Sequence, residues 1–278
     1  MRISWHIAFS KENAPQLTQY IESHNVPHSL DQDLYSFDIY EDNEHWEYIH
    51  NEVLHCKVFR LANTHFTKSE LSNADWLRVR STWRFGYPQP QGTFFSENST
   101  YKMTGRCPAC GIGQEQVDAF RMNQVPNWGR RHFGELNWIG DELFADDIAK
   151  DILTTADISG IVFDRVKNKN GQLYMASISQ LKIPNILAPG LVEDTSIIRK
   201  VSICPACGTK KYLLGGIGKL TLKKSIFDNA PMAVKTAEFF GDGMAATRIN
   251  IVHQYVYQTI VSNNLDRGLV FEPIELQP

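Results

Sequence analysis

The pentapeptide Cys107-Pro108-Ala109-Cys110-Gly111 and its identical copy Cys204-Pro205-Ala206-Cys207-Gly208 decide the fold of this chain. Each copy spaces two cysteines so that both thiolates point at one metal ion, and its glycine supplies the positive φ that closes the turn. Four thiolates form a complete tetrahedral set, which is typical of zinc. The predicted metal ligands are therefore Cys107, Cys110, Cys204 and Cys207.

Two reducible disulfides or four buried free thiols are the alternatives to a metal site. Residues 1–13 lack the apolar core of a secretory signal, and no stretch approaches the ~18 apolar residues of a membrane span. We therefore expect a cytoplasmic protein, where thiols stay reduced and paired C-x-x-C units favour a metal. The fifth cysteine, Cys56, is expected to be a small buried hydrophobic residue on a helix.

The distribution of charge is uneven along the 278 residues. The whole chain carries a formal charge of −3, which does not indicate a nucleic-acid-binding surface overall. Residues 1–60 hold four basic and ten acidic side chains, whereas residues 199–224 hold seven basic and no acidic ones. An acidic end suits a basic partner and a basic segment suits an anionic one, although either can be a solvated face.

The N-terminal part alternates between strand and helix patterns. Alternating apolar residues predict strands at residues 3–9 and 34–40, and helical spacing predicts helices at residues 14–24 and 43–56. This order indicates a small α/β layer. Prolines at positions 88 and 90 interrupt both kinds of element, so we place a domain boundary near residue 95. The predicted domains are residues 1–95 and 96–278.

An internal duplication is predicted after that boundary. Residues 160–166 (Gly-Ile-Val-Phe-Asp-Arg-Val) match residues 268–274 (Gly-Leu-Val-Phe-Glu-Pro-Ile), and a helical pattern precedes each. The residues of these helical patterns are Phe144, Ile148 and Ile152 in the first, and Val252, Val256 and Ile260 in the second. The predicted halves, residues 96–190 and 191–278, differ by an insertion around residues 227–243.

These patterns predict an α+β fold. A small N-terminal α/β layer is followed by a duplicated knuckle-strand-helix-strand unit, which a zinc-ribbon-like four-cysteine site joins. Asn170-Gly171 predicts a type I′ hairpin turn between strands at residues 161–166 and 172–177.

The two cysteine pairs lie 97 positions apart, and the long insert is itself a folded half. We expect a single structural zinc ion shared by the two halves, because four thiolates leave no open position for catalysis. Two separate sites, completed by His132 and His253, are the alternative. The sequence contains no H-E-x-x-H, G-x-S-x-G or Rossmann glycine motif, and we expect no enzyme. Residues 215–220 are interpreted as a glycine-rich hairpin instead of a phosphate loop.

The doubled Cys-Pro-Ala-Cys-Gly motif and the closing segment 268–274 resemble the double-CXXCG immunity proteins of bacterial polymorphic toxin systems. The resemblance covers residues 100–278. It implies a cytoplasmic protein that binds and neutralises a cognate toxin, and it implies a metal-ligand role for the four cysteines. The chain departs from the family in the long N-terminal part that precedes its first motif.

An acidic surface near residue 44 is the expected toxin-binding surface, because acidic clusters capture nucleases with basic substrate grooves. Its residues are Glu41, Asp42, Glu44 and Glu47, beside Trp46 and Tyr48. A nucleic-acid-binding zinc-ribbon protein is the alternative function. It would use the basic stretch 199–224, with Tyr212 as a stacking side chain.

Overall fold

The computed structural model describes residues 1–90 and 100–278. It divides into two compact units, residues 1–70 with 215–218, and residues 71–214 with 219–278. Strands account for 36% and helices for 17% of the structure, which agrees with the expected mixed content but gives strands the larger share. The predicted boundary near residue 95 lies outside the described residues, and residues 71–90 belong to the second unit.

The first unit is a four-stranded antiparallel sheet with two helices on one face. Its elements are β1 (Arg2–Ser10), α1 (Pro15–Ser23), β2 (Ser29–Asp31), β3 (Leu34–Tyr40), α2 (Trp46–His55) and β4 (Phe59–His65), and α3 (Lys68–Ser72) follows at the division between the units. The sheet has the order β2-β3-β1-β4. The predictions of β1, α1, β3 and α2 are confirmed, and β2 and β4 are additional edge strands.

Apolar side chains of alternate strand positions form the core of this unit. Ile7 and Phe37 pack against Leu17 of α1 and Ile49 of α2, and all four are almost completely buried. Cys56 is partly buried against the same core, as a small hydrophobic residue would be.

Residues 215–218 complete the first unit and lie against β4. Thr64 Oγ1 donates to Gly216 O at 2.7 Å and accepts from Gly218 N at 3.0 Å. Gly216 has φ 80°, and a Cβ there would clash with the carbonyl oxygen of Ala62, so the close approach requires glycine. The predicted hairpin is wrong, because the strands on either side of this segment pair with other strands.

The second unit contains the four motif cysteines and most of the chain. Its strands and helices are β5 (Trp76–Ser81), β6 (Tyr101–Lys102), β7 (Glu115–Gln116), β8 (Arg121–Met122), β9 (Phe133–Gly134), β10 (Leu143–Ala145), α4 (Asp147–Thr155), β11 (Val162–Asn168), β12 (Tyr174–Lys182), β13 (Ile198–Ile203), β14 (Lys210–Leu214), β15 (Leu220–Lys223), β16 (Ala233–Lys235), β17 (Phe239–Phe240), β18 (Asn250–His253), α5 (Gln254–Ser262) and β19 (Leu269–Gln277). A short 3-10 helix spans Lys224–Phe227.

Two five-stranded sheets in this unit have corresponding orders, β8-β11-β12-β10-β9 and β15-β19-β5-β18-β16. In both, the first pair of strands is parallel and the other pairs are antiparallel. The central strand of the first sheet is β12, and that of the second is β5, from the region that the sequence analysis assigned to the N-terminal layer. The two outlying sheets are β13-β14-β17 and β6-β7.

The pairing register of the two sheets also agrees position by position. Phe163 pairs with Leu181 of β12, and Phe271 pairs with Val79 of β5. Phe163 and Phe271 occupy the same place in the two matched sequence segments, four residues into each. Leu77, Leu181 and Phe271, from the two sheets, share one core with apolar residues of α4 and α5.

Two local predictions are corrected by the structure. Phe144 belongs to β10 and not to the helix, and the buried face of α4 is formed by Ala149 and Leu153, while Ile148 is 56% exposed. The β11–β12 connection is not a type I′ turn, because Gly171 has φ 73° but Asn170 is not in the positive-φ region. Its turn is closed by the bond from Gly171 N to Asn168 O.

Candidate metal centre

The two cysteine motifs fold into matching turns. Knuckle 1 (residues 107–111) lies between β6 and β7, and knuckle 2 (residues 204–208) lies between β13 and β14. Gly111 N donates to Cys107 O at 2.8 Å, and Gly208 N donates to Cys204 O at 2.9 Å. The φ angles of Gly111 and Gly208 are 76° and 73°, as predicted for the closing glycine.

The structure brings all four sulfur atoms together, within 4.8 Å of one another. The Sγ atoms of Cys107 and Cys204 are 3.8 Å apart, and those of Cys110 and Cys207 are 3.6 Å apart. A tetrahedral ion with metal–sulfur bonds of about 2.3 Å separates its sulfur ligands by about 3.8 Å. Disulfide sulfurs would lie about 2.05 Å apart, so the four thiols are not paired as disulfides, and the cluster can hold a metal ion.

Burial differs among the four ligands. Cys107, Cys110 and Cys204 are buried, with Cys110 completely inaccessible, whereas Cys207 is exposed. The centre therefore has three enclosed corners and one corner at the surface.

The pKa values of buried Cys110 and exposed Cys207 are shifted in opposite directions. Burial raises the pKa of Cys110 to about 12, whereas the hydrogen bond with Thr209 lowers the pKa of Cys207 to about 6. The backbone N–H groups of Ala206 and Cys207 lower the pKa of Cys204. A buried thiolate at Cys110 needs a positive charge beside it, and a bound cation at the centre of the cluster supplies one.

Thr209 is a contributor that the sequence analysis missed. Its Oγ1 lies 3.2 Å from Cys207 Sγ, and its carbonyl accepts from Cys204 N at 2.9 Å. The first knuckle has Ile112 at the corresponding position, where the carbonyl makes the same bond to Cys107 N but no hydroxyl is present. A hydroxyl directly after one C-x-x-C-G motif was the available signal, because it can donate to a thiolate.

The histidines of the two-site alternative lie outside the cluster. His132 Nδ1 lies 2.9 Å from Asp146 Oδ2, and His253 Nδ1 accepts from Tyr255 N at the start of α5. Among residues 1–90 and 100–278, the grouped metal-ligating side chains are the four cysteines alone. The single cluster is therefore the arrangement that the described residues support.

The acidic residues before and within α4 have structural roles. Asp146 caps α4 by accepting from Ala149 N at 2.8 Å. Asp141 and Glu142 contact Lys235 Nζ at 3.4 and 2.6 Å, and Lys235 is buried. Asp146 thus caps the start of α4, whereas Asp141 and Glu142 pair with Lys235.

The basic stretch 199–224 is partly neutralised by its surroundings. Lys200 pairs with Asp242 at 3.1 Å, Lys210 pairs with Glu193, and buried Lys211 donates to Gly243 O. Tyr212 is also buried, and its hydroxyl donates to Glu193. This stretch therefore offers less free positive charge than its sequence indicates, and it has no exposed stacking ring at Tyr212.

The expected acidic surface lies in the first unit, around the start of α2. Glu44 and Glu47 are exposed, and among the described residues neither lies within ion-pair distance of a lysine or arginine. Glu41 accepts from Trp5 Nε1 at 2.9 Å, and Asp42 forms a two-bond pair with Arg2. Because an indole N–H is neutral, Glu41 keeps its negative charge. Among the described residues, the carboxylates of this surface without a lysine or arginine partner are therefore Glu41, Glu44 and Glu47, and Glu44 Oε1 lies 3.9 Å from His45 Nε2.

No protein-family model matches the chain, and no curated protein matches it either. Among the described helices, none has the length and apolar character needed to cross a membrane.

Proposed function

We propose that the four cysteines bind one structural Zn²⁺ ion. The observation that carries this proposal is the clustering of the four Sγ atoms within 4.8 Å of one another, with the Cys107–Cys204 and Cys110–Cys207 pairs at 3.8 and 3.6 Å, close to the separation in a tetrahedral zinc–thiolate site. Thiolate ligands favour zinc over magnesium or calcium, and a set of four leaves no position for a substrate. The ion would hold the two knuckles together as a cross-link between positions 97 apart in the chain.

Metal analysis of the purified protein tests this proposal. We expect one zinc per chain, and we expect a lower unfolding temperature after removal of zinc with a chelator. A Cys56→Ser variant is the control, because Cys56 belongs to the first unit and is not one of the four clustered cysteines, and it should retain one zinc. Two zinc ions per chain, or none in protein purified without chelator, would contradict a single shared site.

We further propose that the halves of the second unit arose by duplication. The two five-stranded sheets agree in order, direction and register, and the two knuckles share the same backbone hydrogen bonds. On this proposal each repeat begins with its central strand, β5 or β12, followed by a knuckle and a strand-helix-strand unit.

We infer that the chain is an immunity protein that binds and neutralises a cognate bacterial toxin. The support is the resemblance of residues 100–278 to the double-CXXCG family, together with the free acidic side chains of Glu44 and Glu47. A rigid metal-stapled scaffold with a charged surface is sufficient for this role, since neutralisation by binding needs no chemistry of its own. The basic stretch 199–224, in which Lys200 and Lys210 form ion pairs and Lys211 donates to Gly243 O, gives less support to nucleic-acid binding.

Affinity capture with the whole tagged chain in its native host tests this inference, with bound protein and nucleic acid both identified. We expect a stoichiometric toxin domain that kills cells lacking this chain. The double variant Glu44→Lys, Glu47→Lys should then slow association, because long-range steering depends on charge. A matched control is Asp31→Lys, Asp33→Lys, which makes the same charge change at exposed positions on the β2–β3 turn. Equal association rates for both variants, or capture of nucleic acid alone, would contradict the proposal.

A further inference from the structure

A cavity of about 290 Å³ lies beside knuckle 1, inside the second unit. Two connections form opposite walls: residues 138–141 lead into β10, and residues 244–247 lead into β18. These connections occupy corresponding places in the two five-stranded sheets. Sites between repeated or neighbouring modules are common ligand-binding positions in proteins.

The second wall is built from extra sequence. The β9–β10 connection has eight residues (135–142), whereas the corresponding β16–β18 connection has fourteen (236–249). The longer connection lies against the shorter one. A Cβ added to Gly140 would be 3.5 Å from Thr247 Oγ1, which shows how close the two connections are. The difference in length between the halves thus places residues where they enclose this cavity.

Trp138 has a strained backbone and lines the cavity. Its φ of 69° is unusual for a bulky residue, and its side chain is 46% exposed. The ring makes an edge contact with Tyr87 at a centroid distance of 4.6 Å, which leaves indole surface uncovered. Strained backbone of this kind is concentrated at binding and catalytic sites.

The polar groups of the cavity are hydrogen-bond acceptors with capacity to spare. Gln114 Oε1 is buried and has no hydrogen-bond partner among the described residues. The carboxylate of Asp141 is 3.4 Å from Lys235 Nζ, whereas Glu142 takes the closer contact at 2.6 Å. Unsatisfied buried acceptors are costly, so a ligand that donates N–H bonds is favoured here.

The basic side chains around the cavity already have partners. Arg106 lies beside the cavity, because a Cβ on Gly111 would be 3.4 Å from its Nη2, and it is not without a partner. Arg84, on its rim, lies 3.9 Å from the carboxylate of Glu135. Arg248 donates to the carbonyls of Thr236 and Ala237 and stacks over Phe239. The cavity therefore offers an arriving group an aromatic face and acceptors, and no unpaired cation among these residues opposes a positive ligand.

We propose that this cavity binds a guanidinium group, stacked on Trp138 and donating hydrogen bonds to Asp141 and Gln114. A guanidinium is planar, carries several N–H donors, pairs with a carboxylate through two bonds and stacks on indole. Its source is either a free guanidino compound or an arginine side chain of a bound protein. The site is independent of toxin neutralisation and is tested without a toxin.

Calorimetric titration of the full zinc-loaded chain tests the proposal with three probes. Agmatine represents a free guanidinium, N-acetylarginine methylamide represents an arginine side chain in a protein, and guanosine represents a neutral planar donor. Binding of either guanidinium probe, more tightly than guanosine, supports the site, and the tighter of the two identifies the source. Absence of guanidinium binding at millimolar concentration, or tighter binding of guanosine, overturns it.

Variants connect any binding to this cavity. Trp138→Asn should weaken guanidinium binding at least tenfold while leaving the unfolding temperature unchanged or raised, because asparagine tolerates positive φ. Gln114→Leu removes the unpaired acceptor and should weaken binding without loss of stability. This variant is used in place of Asp141→Asn, which would remove the ion pair with buried Lys235 and could prevent folding. Asp164→Asn, on the surface of β11, is the matched control and should bind as wild type does. Wild-type affinity in both Trp138→Asn and Gln114→Leu would overturn the assignment.

Discussion

The two five-stranded sheets of the second unit differ mainly in where their central strand comes from. β12 directly follows the other strands of its sheet, whereas β5 precedes knuckle 1 and joins β18 and β19 near the end of the chain. If each central strand is counted with the knuckle that follows it, each repeat places its first strand in the sheet of the other. Counted in this way, each sheet contains one strand from the other proposed repeat, and neither five-stranded sheet is complete without both.

The largest effect is expected at the metal cross-link, where the two knuckles differ in exposure. Cys110→Ser should abolish stoichiometric zinc binding and cooperative unfolding of the second unit, because structural zinc supplies roughly 10 kcal/mol in small metal domains. Cys207→Ser should weaken zinc binding less, since a water molecule can reach that exposed corner. Zinc content and thermal unfolding of the two variants measure the difference. Equal losses at both positions would show that exposure of Cys207 has no bearing on metal retention.

The next effect concerns the exchanged strands. Leu77 of β5 and Leu181 of β12 are both buried in the shared core, so Leu77→Ala and Leu181→Ala should each cost about 2–5 kcal/mol. Hydrogen exchange should report faster opening of β18 and β19 for Leu77→Ala. The control is Leu61→Ala, at a position 43% exposed in the first unit, which should change stability by less than about 0.5 kcal/mol. Protection of β18 and β19 that is unaltered by Leu77→Ala would contradict the exchange.

The smallest effect on stability is expected at Glu135. In the correspondence between edge strands β9 and β16, Glu135 occupies the position that Lys235 occupies in the other sheet. Burial raises the pKa of Glu135 above its ordinary value of 4.5, and its Oε1 accepts from Ser81 N at 2.8 Å. A carboxyl with a raised folded-state pKa favours folding below its ordinary pKa, and this contribution is lost as pH rises through the folded value.

Denaturant unfolding of Glu135→Gln across pH 4 to 8 measures this contribution. Glutamine keeps an acceptor for Ser81 but does not ionise, so wild type should lose stability relative to the variant as pH rises above 4.5. The exposed Glu115→Gln is the control and should give a difference that does not change in this way. A wild type that instead gains stability over Glu135→Gln with rising pH would reverse the assigned sign.

Local patterns predicted the parts of the fold that depend on nearby residues. β1 and β3 follow from strict alternation, and the knuckles follow from their own motif. α5 follows from the spacing of Val256 and Ile260, whereas Val252, the first residue of that predicted helical pattern, lies in β18. The matched segments at residues 160–166 and 268–274 even correspond to the observed register. Such features are visible because the period of a strand or helix is written into consecutive residues.

Long-range pairing explains most of what the sequence did not reveal. Nothing local in residues 76–81 indicates that their partners are β18 and β19. The domain boundary predicted near residue 95 from Pro88 and Pro90 therefore separates β5 from the strands with which it pairs. α4 was misjudged because Phe144, buried in β10, mimics a helical position relative to Ile148. The clustering of the four cysteines could be predicted because the spacing within each C-x-x-C-G motif is typical of metal ligands. Trp138 and Gln114 belong to no such motif, so their place in the cavity could not be predicted.

The exchanged central strand has a consequence for how the protein is made. β19 begins 188 positions after β5 ends, so β5 leaves the ribosome long before its two neighbours exist. At a synthesis rate of about 5–20 residues per second this delay is about 10–40 s. During that interval Trp76, Leu77 and Val79 form an unpaired apolar strand. The nascent chain therefore presents a chaperone target until β18 and β19 have been synthesised.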